Sequence, residues 1–311
     1  MSFEVQRGLV QLPLGSERVL DADEEIFILY SKSGASSEHR GLGYLDSRSD
    51  TLTLSFELKP PSWATSAVTK SKRKSATARP IQEKTVEIQL AQDKTALRSR
   101  TGDTGSVVWK ASIDFAQFVL QQQHARSPTA ILDPTKLRDA RILELGSGTG
   151  LLSVAFSPLV LHYTATDIQE LLPLIRKNVS LNFAPGHNVL VEELNWQTLH
   201  STSPSRRPQL FSPPSPPADI VLIVDCIYHP ALLPSLLAAM DYVAAPSTAV
   251  VVVMELRAED VTREFMEGWL VLGNGEWEVW RVGSDDSAEG VLAKDSPYVM
   301  WVGWKGRTDP N

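Results

Sequence analysis

The sequence predicts an α/β fold: a doubly wound, mainly parallel sheet with helices on both faces. Three observations carry this reading. Ile220–Val224 and Ala249–Met254 are unbroken apolar runs, the composition of central parallel strands buried on both faces. Ile142-Leu143-Glu144-Leu145 is a strand that runs into Gly146-Ser147-Gly148-Thr149-Gly150, and helix-compatible Leu151–Phe156 follows. Around these, strand-like and helix-like runs alternate along the chain, which is the pattern of a layered α/β sheet.

The elements follow in order. Glu25–Tyr30 and Thr51–Leu58 read as strands, with turn-rich Gly41–Asp50 between them. They are expected either to extend the sheet or to pack on it as a hairpin. Pro60–Lys84 reads as a loop that holds the basic run Lys70-Ser71-Lys72-Arg73-Lys74. Such a run serves as a nuclear address or an RNA contact in some chains, but in this Ser/Ala-rich setting a solvated loop is the preferred reading. Val86–Leu90 and Leu97–Arg100 read as strands leading to Trp109. Tyr163–Asp167 is a second core strand. Gln169–Leu181 has helical spacing at Leu171, Leu172, Leu174, Ile175, Val179 and Leu181, and Pro185-Gly186 stops it. Val189–Leu194 is a third strand, followed by Asn195-Trp196. Ser201–Pro217 is Ser/Pro-rich and reads as a disordered insertion. Ala231–Val243, with Pro230 near its start, and Glu259–Trp269 read as helices. Trp277–Val282 and Tyr298–Trp304 have no helix pattern between them, which predicts an antiparallel pair at one edge. The expected organisation is an extension over 1–84 and a main domain over 85–311, with the insertion at 201–217.

The glycine loop sits where a strand stops and a helix restarts. Glycines remove the Cβ atoms that would hold a ligand off, and the new helix offers unpaired N–H groups. Asp167 ends the second strand about twenty residues later, where an acid accepts hydrogen bonds from both hydroxyls of a ribose. That acid serves NAD and S-adenosylmethionine alike. The glycine spacing separates them, because G-x-G-x-x-G is the dinucleotide pattern and this chain has G-x-G-x-G. Glu144, two residues before the loop, would repel a pyrophosphate but suits a cationic, amino-acid-bearing ligand. S-adenosyl-L-methionine is the expected cofactor. The plainer alternative is an ordinary turn with Asp167 capping the next helix.

Several chemistries are set aside. Nucleic-acid amino-methylating enzymes of this fold carry Asn/Asp-Pro-Pro-Tyr/Phe after the fourth strand, whereas this chain has Asp225-Cys226-Ile227-Tyr228. The proline pairs at Pro213-Pro214 and Pro216-Pro217 precede that strand. Cys226 is the only cysteine, so disulfides within the chain are excluded, no metal site is expected, and the thiol reads as a small packing residue. The six histidines show no metal-ligand spacing, and His229 reads as an exposed loop residue. With 42% hydrophobic residues over 311 positions, the chain has material for a large core. Its net charge of -7 argues against direct nucleic-acid binding and suits a basic protein partner, through long-range attraction. No apolar run reaches the length of about 18 residues that a membrane span needs. The N-terminus does not read as a signal peptide. A single thiol fits a cytoplasmic setting, or a nuclear one. A monomer is expected.

Gly105-Ser106-Val107-Val108-Trp109 before an apolar helix, then Glu144–Gly150, Asp167, Leu194-Asn195-Trp196 and Asp225-Cys226-Ile227-Tyr228, resemble the METTL21-type seven-β-strand protein lysine methyltransferases. The resemblance runs from Gln89 to Trp304, about two-thirds of the chain. The Val-Asp-Cys-Ile-Tyr form, the Thr104–Trp109 segment and the long extension are most similar to the fungal ribosomal lysine N-methyltransferase 5 branch. It implies a Rossmann-like, seven-stranded class I S-adenosylmethionine-dependent methyltransferase fold with an N-terminal β-containing extension. It also implies roles by position. Trp109 contacts the cofactor ahead of the first strand. Gly146, Ser147 and Gly148 lie under the methionine portion, Asp167 takes the ribose, Trp196 flanks the adenine, and Val224 is the small residue beside the cofactor. For both tryptophans, core packing is the plainer alternative to stacking and cation–π contact.

Asp225 and Tyr228 are the expected catalytic pair. They follow the fourth strand, on the side where open α/β sheets bind ligands. A carboxylate there can hold a lysine ammonium, and a tyrosine can bond the amine and wall the channel. Capping and packing are the plainer roles for the pair. The expected function is protein-lysine N-methylation, and the resemblance implies a ribosomal protein substrate. The alternatives are a methyltransferase acting on a non-protein amine, or a non-catalytic cofactor-binding scaffold.

Overall fold

The structure is a computed structural model that describes residues 3–32, 49–61, 81–93, 105–283, 290–293 and 295–306. The basic run Lys70–Lys74, the expected strand Leu97–Arg100, Thr104 and most of the 41–50 turn lie outside the described residues.

The described strands are β1 (Val5–Arg7), β2 (Val10–Leu12), β3 (Glu17–Val19), β4 (Thr51–Leu58), β5 (Lys84–Ala91), β6 (Arg141–Leu145), β7 (His162–Asp167), β8 (Val189–Glu193), β9 (Ile220–Val224), β10 (Ala249–Glu255), β11 (Trp277–Arg281) and β12 (Tyr298–Lys305). The helices are α1 (Ala22–Lys32), α2 (Lys110–His124), α3 (Leu151–Phe156), α4 (Leu172–Asn182), α5 (Trp196–Ser201), α6 (Arg207–Leu210), α7 (Leu233–Val243) and α8 (Glu259–Val271). The main sheet has the order β3-β11-β12-β10-β9-β6-β7-β8. From β10 to β8 the strands are parallel, and β12 and β11 close the other side antiparallel, as their sequences predict. The chain leaves β6 in one direction, through β7 to β8, and returns to β9 on β6's other side. The switch point, where ligands bind in open α/β sheets, therefore lies between the carboxyl ends of β6 and β9.

Side-chain alternation divides the core into two layers. Ile142, Leu222, Val224, Val251 and Val253 face one layer, with α2, α3 and α4 over them. Leu143, Leu145, Val221, Ile223, Val250 and Val252 face the other, under α5, α7 and α8. In β9 and β10 every residue is buried, which is why these strands read as unbroken apolar runs.

Two expectations are corrected. Glu25–Tyr30 is not a strand but part of α1. Asp21 accepts the Glu24 N–H at 2.9 Å, and Asp23, Glu24 and Glu25 occupy the first turn, so a cap and an acid-rich start outweigh the β-prone Ile-Phe-Ile-Leu-Tyr content. The helix is fixed to the sheet by Glu25, which pairs with Arg281 and accepts the Trp301 indole N–H at 2.7 Å. The seven expected strands, β11-β12-β10-β9-β6-β7-β8, are present, and β3 from the N-terminal extension adds an eighth at the β11 edge. The second correction is that 201–217 is ordered: it contains α6, Phe211 is buried, and the Tyr242 hydroxyl donates to the Phe211 carbonyl at 2.8 Å.

The expected strands Thr51–Leu58 and Val86–Leu90 pair with each other, antiparallel and apart from the main sheet. The anticipated boundary at 84/85 therefore falls inside β5. This pair is clipped to α4 by Asn178, whose amide accepts the Ala91 N–H at 2.7 Å and donates to the carbonyls of Ala91 and Thr149. One fully buried side chain thus joins the β4–β5 pair to the glycine loop. Among the described residues, no helix is long and apolar enough to cross a membrane.

Candidate active site

A cavity of about 230 Å³ opens at the switch point. Its wall contains Trp109, Gly146, Ser147, Gly148, Asp167, Trp196, Val224, Asp225 and Tyr228. Nine of the ten residues singled out from sequence thus meet in one cleft. The tenth, Glu144, does not line it: its carboxylate lies behind the loop, buried, and accepts the Tyr163 hydroxyl at 2.9 Å. Burial pushes the Glu144 carboxyl up to about 7; the Ser147 and Tyr163 hydroxyls hold it down and nearby Asp167 raises it further. A buried acid bonded to Tyr163 behind the loop is not the ligand-facing charge that the sequence suggested.

The loop owes its shape to backbone that only glycine adopts freely. Gly146 has φ 74°, and a Cβ there would stand 2.7 Å from the Cys226 sulfur and 3.1 Å from the Trp196 ring. The N–H groups of Gly146 and Ser147 both donate to the Thr166 carbonyl at 3.0 Å. The Gly148 N–H donates to Asp167 Oδ2 at 2.8 Å, and Oδ1 accepts the Ile168 N–H, also at 2.8 Å. The strand-tip acid is therefore bonded to the loop it faces. Trp196 begins α5, whose cap is Asn195, accepting the Thr198 N–H at 3.0 Å. That cap fixes the direction in which the indole leaves the chain.

On the other side of the cleft, Asp225 is a non-glycine residue at φ 56°, a sparsely populated conformation that clusters at functional sites. Its N–H donates to Val253 O at 2.7 Å. Its side chain is 3% exposed, and Arg257 binds both carboxylate oxygens, at 3.0 and 2.8 Å. The same guanidinium contacts Glu255 at 2.9 Å and lies 5.4 Å from the centre of the Trp109 ring. Burial would lower the Arg257 pKa, but Asp225 and Glu255 more than offset this and hold it above its usual value. Tyr228 stands at the mouth, 38% exposed. His229 is exposed, and its Nδ1 accepts the Ala231 N–H at 3.2 Å. Burial, then Asp167 and Asp225, push the Cys226 thiol well above its usual value, so it is not a thiolate nucleophile.

The wall also contains Gly105, Val107 and Asn195, which lie in the quoted motifs without an assigned role, and sequence reasoning missed Ile168 and Leu171 as wall residues. Ile168 adjoins a residue already singled out, so adjacency was the available signal. It also missed Arg257, which no motif marks.

The wall fits S-adenosyl-L-methionine. The absent Cβ at Gly146 lets the Cys226 sulfur and the Trp196 ring close on the loop, Asp167 stands at the second strand's tip, and Val107, Ile168 and Leu171 supply apolar surface. Among the described residues, no group of three His, Cys, Asp or Glu side chains is placed to hold a metal ion.

A doubly wound sheet with a glycine loop, a strand-tip acid and a strand-end aspartate around one switch-point cleft places the chain among the class I S-adenosylmethionine-dependent methyltransferase folds. A family model described as lysine methyltransferase matches residues 88–269, and the chain belongs to that family. S-adenosyl-L-methionine is its cofactor. The chain is similar to the protein-lysine methyltransferase METTL21E of Bos taurus, at 30% identity over 172 residues, 55% of this chain and 54% of that one. It is similar to EEF1A lysine methyltransferase 3 of Xenopus tropicalis, at 30% identity over 127 residues, 41% and 52% of the two chains. It is also similar to a Schizosaccharomyces pombe protein named diaminohydroxyphosphoribosylamino-pyrimidine deaminase, at 30% identity over 250 residues, 79% of this chain and 50% of that one. The chain spans about half the length of the curated relatives it matches.

Proposed function

We propose that this chain is an S-adenosylmethionine-dependent protein-lysine N-methyltransferase and that it modifies a lysine of a basic ribosomal protein. The observation that carries the reading is the meeting of two halves in one cleft. Gly146–Gly148 and Asp167 form one half, and Asp225 and Tyr228 the other.

S-adenosyl-L-methionine, when bound, supplies an electrophilic methyl group on a sulfonium. In this reading Trp109 and Gly146–Gly148 hold its methionine portion and Asp167 the ribose. Trp196 and Val224 wall the rest. Glu144 acts from behind, through the loop and Tyr163. Two carboxylates, Asp225 and Glu255, share one guanidinium, Arg257, so the cluster keeps one net negative charge to draw a lysine ammonium towards the cleft. Tyr228 orients the amine at the mouth, and water on the open side takes its proton. Holding the amine in line with the methyl group supplies much of the rate effect, since positioning contributes about 7–11 kcal/mol in well-oriented systems.

A ribosomal substrate is supported by the resemblance to the fungal ribosomal branch and by the net charge of -7. The name of the Xenopus relative points to the translation machinery as well. We place the reaction in the cytoplasm, performed by a monomer. The reading is tested by incubating the chain with methyl-labelled S-adenosylmethionine and a lysate from cells that lack it. Label in a ribosomal protein supports the reading, and label in RNA or small amines opposes it.

A further inference from the structure

We infer that Arg257 is a positioning residue of the methyl-transfer site, one that locks the Asp225 carboxylate and the Trp109 ring in a single arrangement. The inference rests on the reading of the cleft as a methyltransferase site. It concerns a residue outside every motif that identified that site.

Arg257 follows β10, Asp225 follows β9, and Trp109 precedes α2. The guanidinium therefore ties together the ends of two adjacent strands and the start of the helix that covers one face. Toward Asp225 it presents a two-nitrogen fork, at 3.0 and 2.8 Å. This geometry fixes the carboxylate plane, and a lysine ammonium cannot reproduce it. Its second acid, Glu255, at 2.9 Å, fixes the guanidinium in turn. The Trp109 face, 5.4 Å away, fixes its tilt. Two of these three partners, Asp225 and Trp109, line the cavity. A second acid–aromatic contact closes the same side: the Tyr298 hydroxyl donates to Asp114 of α2 at 2.7 Å.

Without the guanidinium, a 3%-exposed carboxylate at a positive-φ residue loses its paired donors. Its neighbour Glu255 then repels it. Asp225 would turn away, and the amine that it and Tyr228 aim would lose its line of approach. The glycine loop and Asp167 make none of the contacts described for Arg257; of the residues that hold the cofactor in this reading only Trp109 touches it, so affinity is expected to fall far less than kcat. The two effects therefore separate in an experiment.

The test compares the wild-type chain with Arg257→Ala, Arg257→Lys and a control, Arg263→Ala, which removes a half-buried guanidinium that lines no part of the cavity and pairs with Glu259 on the same helix and Asp23 of α1. Two quantities are read: affinity for S-adenosylhomocysteine by calorimetry, and kcat and KM for label transfer to the lysate protein. The expected result for Arg257→Ala is affinity within about threefold of wild type and a kcat lower by about 10–100-fold. Arg257→Lys is expected to recover little of that loss, and it stands in if the alanine variant does not fold. Arg263→Ala is expected to match wild type. Full kcat in a folded Arg257 variant overturns the inference, as does parallel loss of affinity and kcat, which marks a general structural role. The nature of the product labelled by wild type judges the lysine reading separately, because the variant-to-wild-type ratio holds for whichever nucleophile is labelled. A wild-type chain that binds S-adenosylhomocysteine and transfers nothing overturns both.

Discussion

Asp167 accepts the N–H of Gly148, 19 residues earlier in the chain, at 2.8 Å. The acid that ends β7 is thus held against the loop that ends β6, and the two are set as one unit. One carboxylate oxygen serves the loop and the other serves the Ile168 N–H.

Asp167→Ala should therefore weaken cofactor binding by more than the loss of a ribose contact alone, because the Gly148 N–H loses its anchor as well. The expected loss is about 1–3 kcal/mol, the range for a charge-assisted bond. Calorimetry with S-adenosylhomocysteine measures it. Unchanged affinity would remove Asp167 from the site.

Gly146→Ala tests the loop itself. The new methyl group meets the Cys226 sulfur at 2.7 Å and the Trp196 ring at 3.1 Å, on backbone at φ 74°. Strain and overpacking together should cost about 1–3 kcal/mol of stability and displace the indole from the cavity wall. Denaturant unfolding and cofactor titration read the two effects. A variant equal to wild type in both would contradict the close approach of Trp196 to the loop.

Glu144 makes stability depend on pH. Its carboxyl titrates at about 7 in the fold and at 4.5 when free. A raised acid favours the fold while it is protonated. That contribution is complete below about pH 4.5 and is lost as pH rises through about 7. Glu144→Gln mimics the protonated acid and still accepts from Tyr163. It should gain on wild type by about 2–3 kcal/mol between pH 5 and pH 8. Urea unfolding at both pH values checks the sign, and a gap that does not widen at pH 8 contradicts the buried-acid account.

Much of this architecture was legible because burial on both faces writes itself into composition. Ile220–Val224 and Ala249–Met254 could only be central strands, and the cleft follows from the order in which their ends are reached. The misread segments have identifiable causes. In α1 the Ile-Phe-Ile-Leu-Tyr run has strand composition, while the deciding signal was Asp21 and the acids after it. The β3 strand is three residues long, too short to carry a period. The 201–217 segment looks disordered by composition, yet a single buried phenylalanine, Phe211, and the Tyr242 hydroxyl bond anchor it. Arg257 was invisible for a different reason. Its partners Trp109 and Asp225 lie far from it in sequence, and only the strand order brings them to it.

The central claim is that the cleft transfers a methyl group to a protein lysine. The most direct measurement incubates wild-type and Asp225→Ala chains with methyl-labelled S-adenosylmethionine and a lysate from cells lacking the protein, then identifies the labelled residue by mass spectrometry. The account predicts methyl-lysine in a single basic protein with wild type, and no transfer with Asp225→Ala despite S-adenosylhomocysteine affinity within about threefold of wild type. Equal transfer by the two chains, or label only in RNA or small amines, would contradict it.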